Sequence, residues 1–113
     1  ATMTQILSPL DADLRPFART GKLLVYHGWA DPGISALGTL HYVDAVTRVA
    51  GGQVAADQFL RTYFVPGMHH CSGGPGVDRF DMLTALERWV EQGVAPTRIV
   101  ASRVENGTTV RSR

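Results

Sequence analysis

The chain has 113 residues, of which 44% are hydrophobic and 19% are charged, and its formal net charge is +1. This length and composition indicate one globular domain or a part of one. It has one lysine, dispersed arginines and no apolar run near the roughly 20 residues of a membrane span, so we expect neither a nucleic acid nor a membrane as a partner.

The first half of the chain predicts a helix, a strand and a second helix. Residues 8–20 carry a weak helical pattern of apolar side chains. Residues 22–27 (KLLVYH) have a continuous apolar centre, which is typical of a strand covered on both faces in a parallel sheet. Residues 36–50 place apolar side chains at helical spacing, and the glycine pair at 51 and 52 ends this helix.

The second half predicts a strand, a helix and a hairpin. Residues 59–65 are aromatic and β-branched, as in a strand, and residues 78–91 show the clearest helical pattern. Residues 97–104 predict a third strand, and Asn106-Gly107 is a strong turn signal that leads into a returning strand at 108–113. The arginines of this region are expected on a solvated strand: Arg103, Arg111 and Arg113.

This alternation of helices and strands predicts an α/β fold with right-handed crossovers between parallel strands. We expect two parallel strands with flanking helices, followed by a C-terminal β-hairpin. Residues 1–113 are expected to form a single partial domain, because the sequence shows no linker or repeat and stops as if cut within a strand.

Two polar loops follow the two predicted parallel strands. Asp31 lies in the first loop, and His70 lies in the glycine-rich second loop at 66–76. Chemistry in open parallel sheets collects at the carboxyl ends of the strands, and an acid followed by a histidine matches the order of an α/β-hydrolase triad. Taken singly, Asp31 could instead form an Asp-Pro turn and His70 could bond to backbone. The neighbouring His69 is a competing base, and spacing does not choose between the two.

A nucleophile is harder to find. No serine lies in a Gly-x-Ser-x-Gly sequence. Ser72 is only two residues from His70, and Cys71 is its direct neighbour, so both are too close in sequence for the usual contact with a base. Cys71 is the one cysteine, so it is a free thiol or has a partner outside this chain.

A metal site is a further alternative, which we do not expect. Paired ligands at zinc-binding spacing are absent from the sequence, and three adjacent ligands are too crowded for one ion. The side chains weighed for it are His27, His41, His69, His70 and Cys71.

The two loop sequences together resemble a known family. Residues 24–32 (LVYHGWADP) and 66–76 (PGMHHCSGGPG) are similar to the C-terminal catalytic segment of the tannase and feruloyl esterase family. Residues 78–93 resemble the last helix of that segment, and the likeness covers about residues 6–113. The resemblance implies an α/β-hydrolase fold with a Ser-Asp-His triad and an inserted lid.

Carried over by position, the resemblance implies that Asp31 is the triad acid and His70 the base, because the family's base directly precedes a cysteine. It also implies that Cys71 forms a disulfide with a cysteine beside the nucleophilic serine. That serine, the oxyanion hole and the lid with its calcium site would all lie outside these residues. No cofactor is expected within this chain itself.

We therefore expect the C-terminal piece of a serine-type carboxylic ester hydrolase that acts on aromatic acid esters such as gallates or hydroxycinnamates. The piece alone should be inactive and should self-associate or pair with the rest of the hydrolase. The resemblance implies a secreted or periplasmic protein, although no signal peptide opens this chain. The alternative is a non-catalytic α/β interaction module, linked to a partner through Cys71, or an inactive fragment.

Overall fold

The computed structural model describes residues 11–112 of the chain. The four helices in this range are α1 (Arg15–Ala18), α2 (Ala36–Ala50), α3 (Gln53–Asp57) and α4 (Met82–Gln92). The strands are β1 (Leu23–Gly28), β2 (Leu60–Val65), β3 (Ser102–Glu105) and β4 (Thr108–Ser112). Within residues 11–112, no helix is long and apolar enough to cross a membrane.

Two separate strand pairs make up the sheet structure. Strands β1 and β2 are parallel, with Leu23 opposite Leu60 and Gly28 opposite Val65. The two strands therefore end at the same edge, and the loops after them begin side by side. Strands β3 and β4 are antiparallel and form the hairpin around Asn106-Gly107. The predicted parallel pair and hairpin are both present.

Local side chains fix the ends of the two longer helices. Ser35 caps α2 by accepting a hydrogen bond from the Leu37 N–H at 3.2 Å, and Gly51 ends this helix in the left-handed conformation. Asp81 caps α4 by accepting from the Thr84 N–H at 3.0 Å, and Gly93 ends it in the same way.

The helices differ from the sequence-based prediction in several places. Helix α4 begins at Met82 rather than at residue 78, because the backbone of Asp78 and Arg79 bonds to Ser102. The first helix covers only Arg15–Ala18, and residues 8–10 of its predicted range lie outside the described residues. The short helix α3 was not predicted, because its five residues are too few to show an apolar stripe at helical spacing.

The predicted third strand at 97–104 is wrong over most of its length, since β3 begins at Ser102. The segment before β3 contacts side chains of β2 instead of pairing with it as a strand. The carbonyl oxygen of Pro96 accepts hydrogen bonds from the Tyr63 hydroxyl at 3.0 Å and the Arg61 guanidinium at 3.3 Å. A β-branched composition therefore identified an extended segment, but its polar partners are side chains and not a neighbouring strand.

The core has two clusters of buried side chains, one near the start and one near the end of strand β2. Val46 of α2 packs with Phe59 and Leu60 where β2 begins. At the other end, Met68 is fully buried with Val65, Val77 and Ala101, and Phe80 packs against them. Because Met68 belongs to the loop after β2, this second cluster anchors the segment that carries His70. Many large apolar side chains stay exposed, among them Ile34, Leu83 and Val90 at 58%, 66% and 60%.

Candidate active site

The Asp31 carboxylate is held by the turn that follows it. Its Oδ1 accepts hydrogen bonds from the N–H groups of Gly33 and Ile34, both at 2.9 Å. Only 2% of the Asp31 side chain is exposed. This turn uses one carboxylate oxygen completely and leaves Oδ2 to face the second loop.

His70 meets that free oxygen. The distance from His70 Nδ1 to Asp31 Oδ2 is 2.8 Å, across 39 residues of sequence. An ionised carboxylate can only accept hydrogen bonds, so Nδ1 carries the hydrogen and Nε2 of the neutral ring is left as the basic atom. The imidazole is 61% exposed, so it is open to reaction partners. His69 does not share this contact, because its ring lies against Gly74.

The electrostatics keep Asp31 ionised. The N–H of Ile34 and then the ring N–H of His70 hold the pKa of the Asp31 carboxyl well below its usual range, against the opposing effect of burial. A permanent negative charge beside His70 Nδ1 favours the imidazolium that forms whenever Nε2 takes a proton.

The two loops are also joined through their backbones. The N–H of Trp29 donates to the Val65 carbonyl oxygen at 3.0 Å, and that of Ala30 donates to the Met68 carbonyl oxygen at 3.1 Å. Gly28 is required at the crossing point, because a Cβ there would overlap the carbonyl oxygens of Met68 and His69. The distance between acid and base is therefore set by backbone contacts as well as by their own hydrogen bond.

The loop after β2 is folded tightly on itself. Gly67 and Gly76 lie so close that neither could carry a side chain, and the Gly76 N–H donates to the Gly67 carbonyl oxygen at 3.0 Å. The Asp78 carboxylate accepts from the Gly73 N–H at 2.9 Å. Cys71 adopts a left-handed φ of 62°, which is uncommon for a residue with a side chain. This turn brings His70, and not its neighbour, to Asp31.

The C-terminal hairpin also contacts this loop. Arg103 of β3 donates to the carbonyl oxygens of Gly74 and Gly76, the latter at 3.1 Å. Arg111 of β4 donates to the Pro75 carbonyl oxygen at 3.2 Å. Strand β4, which carries Arg111, is exposed as expected, whereas β3, which carries Arg103, is partly buried. The contacts of both arginines with carbonyl groups of the glycine-rich turn were not predicted. Arg113 lies outside the described residues.

His27 also lies at the site, although it was considered from the sequence only as a possible metal ligand. His27 Nε2 lies 3.2 Å from Asp31 Oδ2 and 2.9 Å from the Ile34 carbonyl oxygen. Its position, as a polar residue at the end of an otherwise apolar strand, was the feature of the sequence that could have indicated a role at the site. Together with Asp31, His70 and Cys71, it lines a small depression of about 70 Å³.

The side chains of the other candidates from the sequence make no hydrogen bond to those of the acid–base pair within the described residues. Cys71 is exposed and unpaired in this chain. Over residues 11–112, no three His, Cys, Asp or Glu side chains cluster as they would around a metal ion. In the same range, no serine hydroxyl is hydrogen-bonded to His70, whose ring contact is with Asp31.

Comparisons with known proteins agree on one family. The family model described as tannase and feruloyl esterase matches residues 1–113. The chain is 51% identical over 90 residues to mono(2-hydroxyethyl) terephthalate hydrolase of Piscinibacter sakaiensis, which covers 79% of this chain and 14% of that protein.

Two solved structures resemble the fold. A crystal structure of an esterase from Aspergillus oryzae matches with a TM-score of 0.82 and 31% identity, and it covers 92% of this chain and 24% of that one. Feruloyl esterase B from Aspergillus oryzae matches with a TM-score of 0.78, at the same identity and coverage. The chain therefore spans about a quarter or less of each of these three proteins.

Proposed function

The chain belongs to the tannase and feruloyl esterase family, and from this premise we propose that Asp31 and His70 are the acid and the base of a serine-type carboxylic ester hydrolase. The observation that carries the proposal is the 2.8 Å contact between His70 Nδ1 and Asp31 Oδ2 at the shared edge of two parallel strands. The nucleophilic serine comes from outside these 113 residues, whose sequence holds no Gly-x-Ser-x-Gly elbow.

In the proposed reaction, His70 Nε2 takes the proton of the serine hydroxyl as its oxygen attacks the ester carbonyl. The resulting imidazolium returns that proton to the leaving alcohol when the ester C–O bond breaks. A water molecule then attacks the acyl-enzyme while His70 Nε2 takes one of its protons. The imidazolium returns this proton to the serine oxygen as the acyl C–O bond breaks, which releases the acid and restores the serine. Asp31 keeps the imidazole in the Nδ1–H tautomer and compensates its charge throughout.

The proposed substrates are esters of aromatic acids. The support comes from similar proteins, which include a mono(2-hydroxyethyl) terephthalate hydrolase, a feruloyl esterase and a tannin acyl hydrolase from Aspergillus niger. The same family membership supports a secreted or periplasmic protein and a disulfide from Cys71 to a cysteine beside the nucleophile.

The test uses the natural polypeptide that contains these residues, whatever its length, which we call the parent polypeptide. Purified parent polypeptide is assayed on methyl ferulate, methyl gallate and mono(2-hydroxyethyl) terephthalate. His70→Ala should lower kcat on the order of 10²–10⁴-fold, and Asp31→Asn should do the same. His41→Ala is the matched control, since His41 is exposed on α2 and away from the loops.

The proposal fails if His70→Ala keeps more than about a tenth of the activity. The 113-residue chain by itself should show no turnover, because oxyanion stabilisation and the nucleophile supply the largest rate terms. Turnover by the purified chain that His70→Ala removes would place a nucleophile among these residues and contradict the proposal.

A further inference from the structure

His27 is a partly buried histidine whose ring contacts both the acid loop and helix α2. Its side chain is 11% exposed, next to an Asp31 side chain that is 2% exposed. Its Nδ1 lies 2.8 Å from the Thr39 hydroxyl oxygen of α2. Its Nε2 lies 2.9 Å from the Ile34 carbonyl oxygen and 3.2 Å from Asp31 Oδ2. Both ring nitrogens are therefore in polar contact, as a buried imidazole requires.

These contacts fix the tautomer of the neutral ring. Carbonyl and carboxylate oxygens only accept, so Nε2, which faces one of each, must carry the hydrogen. The other nitrogen then accepts, and the Thr39 hydroxyl is able to donate to it. The opposite tautomer would point the Nε2 lone pair at two oxygens, so the Ile34 carbonyl and the Asp31 carboxylate select the Nε2–H form, and the Thr39 hydroxyl fits it by donating to Nδ1.

The ring closes a network around Asp31. The Ile34 N–H donates to Asp31 Oδ1, while the Ile34 carbonyl oxygen accepts from His27. Asp31 Oδ2 is hydrogen-bonded to His70 Nδ1 at 2.8 Å, and His27 Nε2, although 3.2 Å from the same oxygen, is hydrogen-bonded to the Ile34 carbonyl oxygen. A rotation of the carboxylate would break bonds on both oxygens at once, so its orientation is fixed from both sides.

We propose that His27 is a positioning residue for ester hydrolysis: its Nε2–H holds the Ile34 carbonyl oxygen, and the Ile34 N–H in turn holds Asp31 Oδ1, so that Oδ2 faces His70. This inference rests on the proposed function, because it assigns His27 to the acid of that triad. His27 does not reach the reacting atoms; it acts through Asp31. Its loss should therefore lower kcat and leave KM nearly unchanged.

The experiment compares three variants of the parent polypeptide. His27→Leu removes the donor, His27→Gln keeps an N–H near the position of Nε2, and Thr39→Val removes the hydroxyl that donates to Nδ1. We expect His27→Leu to lower kcat about tenfold, from a small misplacement of acid and base, with KM within about twofold. His27→Gln should recover most of the activity, and Thr39→Val should lie between the two.

A second readout does not depend on turnover. Histidine ¹⁵N NMR of the parent polypeptide should show His27 as the Nε2–H tautomer, and the low-field Nδ1 proton of His70 should shift or broaden in His27→Leu. A purely structural role would lower the unfolding temperature without moving this His70 signal. If His27→Leu does not fold, the wild type and Thr39→Val still report the tautomer of His27, and His27→Gln still reports the His70 signal.

The outcomes separate the two proposals. If His70→Ala abolishes activity but His27→Leu matches the wild type, or if His27 is the Nδ1–H tautomer, the positioning role is overturned and the triad stands. If His27→Leu and His27→Gln are equally impaired, the donor is not the relevant feature and the role is again overturned. If His70→Ala is as active as the wild type, the proposed function and the role of His27 fail together.

Discussion

The guanidinium of Arg103 donates to the carbonyl oxygen of Gly76 at 3.1 Å, and so joins the C-terminal hairpin to the loop that carries His70. The same nitrogen also contacts the Gly74 carbonyl oxygen, and 29% of the side chain is exposed. Backbone N–H groups of the turn donate instead to the carbonyl oxygens of Gly67, His70 and Gly73. Arg103 therefore satisfies oxygens that no backbone donor reaches.

Substituting Arg103 should loosen the loop and misplace the base. In Arg103→Met the aliphatic length is kept, but the carbonyl groups of Gly74 and Gly76 lose their donor, which costs about 1–3 kcal/mol for partly buried acceptors. We expect faster hydrogen exchange of residues 66–76 in the parent polypeptide and a lower kcat on aromatic esters. Arg98→Met, at an exposed position before the hairpin, is the control and should change neither. Unaltered exchange in Arg103→Met would show that the hairpin does not support the loop.

Two glycines make a matched pair with opposite expected effects. A Cβ on Gly28 would overlap the carbonyl oxygens of Met68 and His69, whereas a Cβ on Gly38 of α2 meets nothing within 4 Å. Gly28→Ala should therefore destabilise the parent polypeptide by about 3 kcal/mol or more and separate the two loops. Gly38→Ala should stabilise it by about 0.5–1 kcal/mol, because glycine is costly inside a helix. Urea unfolding measures both, and equal effects of the two substitutions would contradict the close approach at Gly28.

The arrangement of strands and loops followed from simple patterns. The apolar centre of β1 and the β-branched run of β2 predicted parallel strands, and two polar loops after consecutive strands predicted a shared site. This works because the carboxyl ends of parallel neighbours share an edge, so sequence order becomes spatial proximity. Strand order therefore predicted Asp31 and a histidine of the second loop, and the family resemblance selected His70 over His69.

The finer geometry depends on tertiary contacts that no local pattern contains. The choice of His70 over His69 depends on a left-handed Cys71 and on close backbone contacts of Gly28 and Gly76. The role of His27 depends on which oxygens a folded loop turns toward it. Strand β3 was placed too early because an extended, β-branched segment and a paired strand have the same composition.

The Asp31 carboxylate should make stability depend on pH in one direction. Its pKa in the folded state lies below the ordinary value of 3.8, first through the Ile34 N–H and then through His70. The unfolded chain therefore binds a proton more readily than the folded one. The resulting stabilisation is fully present well above 3.8 and is lost as the pH falls toward the folded pKa.

Unfolding of the wild-type and Asp31→Asn parent polypeptides at a series of pH values checks this. The difference in free energy of unfolding should be largest near neutral pH and should shrink below the ordinary carboxyl pKa. Asp13 is the contrast, because its exposed pair with Arg15 lowers its pKa to about 2, and the effect of Asp13→Asn should vanish in about 1 M salt. A difference for Asp31→Asn that grows on acidification would show that the carboxylate is protonated in the folded state.

The exposed thiol of Cys71 lies directly after the proposed base, at a residue with an uncommon left-handed backbone conformation. If it is bonded to a cysteine beside the nucleophile, the disulfide ties base and nucleophile together across the missing part of the site. Peptide mapping of the native parent polypeptide without reductant should then find Cys71 in one intramolecular disulfide. Cys71→Ser should lower the free energy of unfolding by about 2–4 kcal/mol, and reductant should remove the difference between the two proteins. Alkylation of Cys71 in the unreduced native protein would contradict the disulfide. A Cys71–Cys71 link between two chains would instead favour the interaction module, because Cys71 would then not be available to hold the base beside a serine.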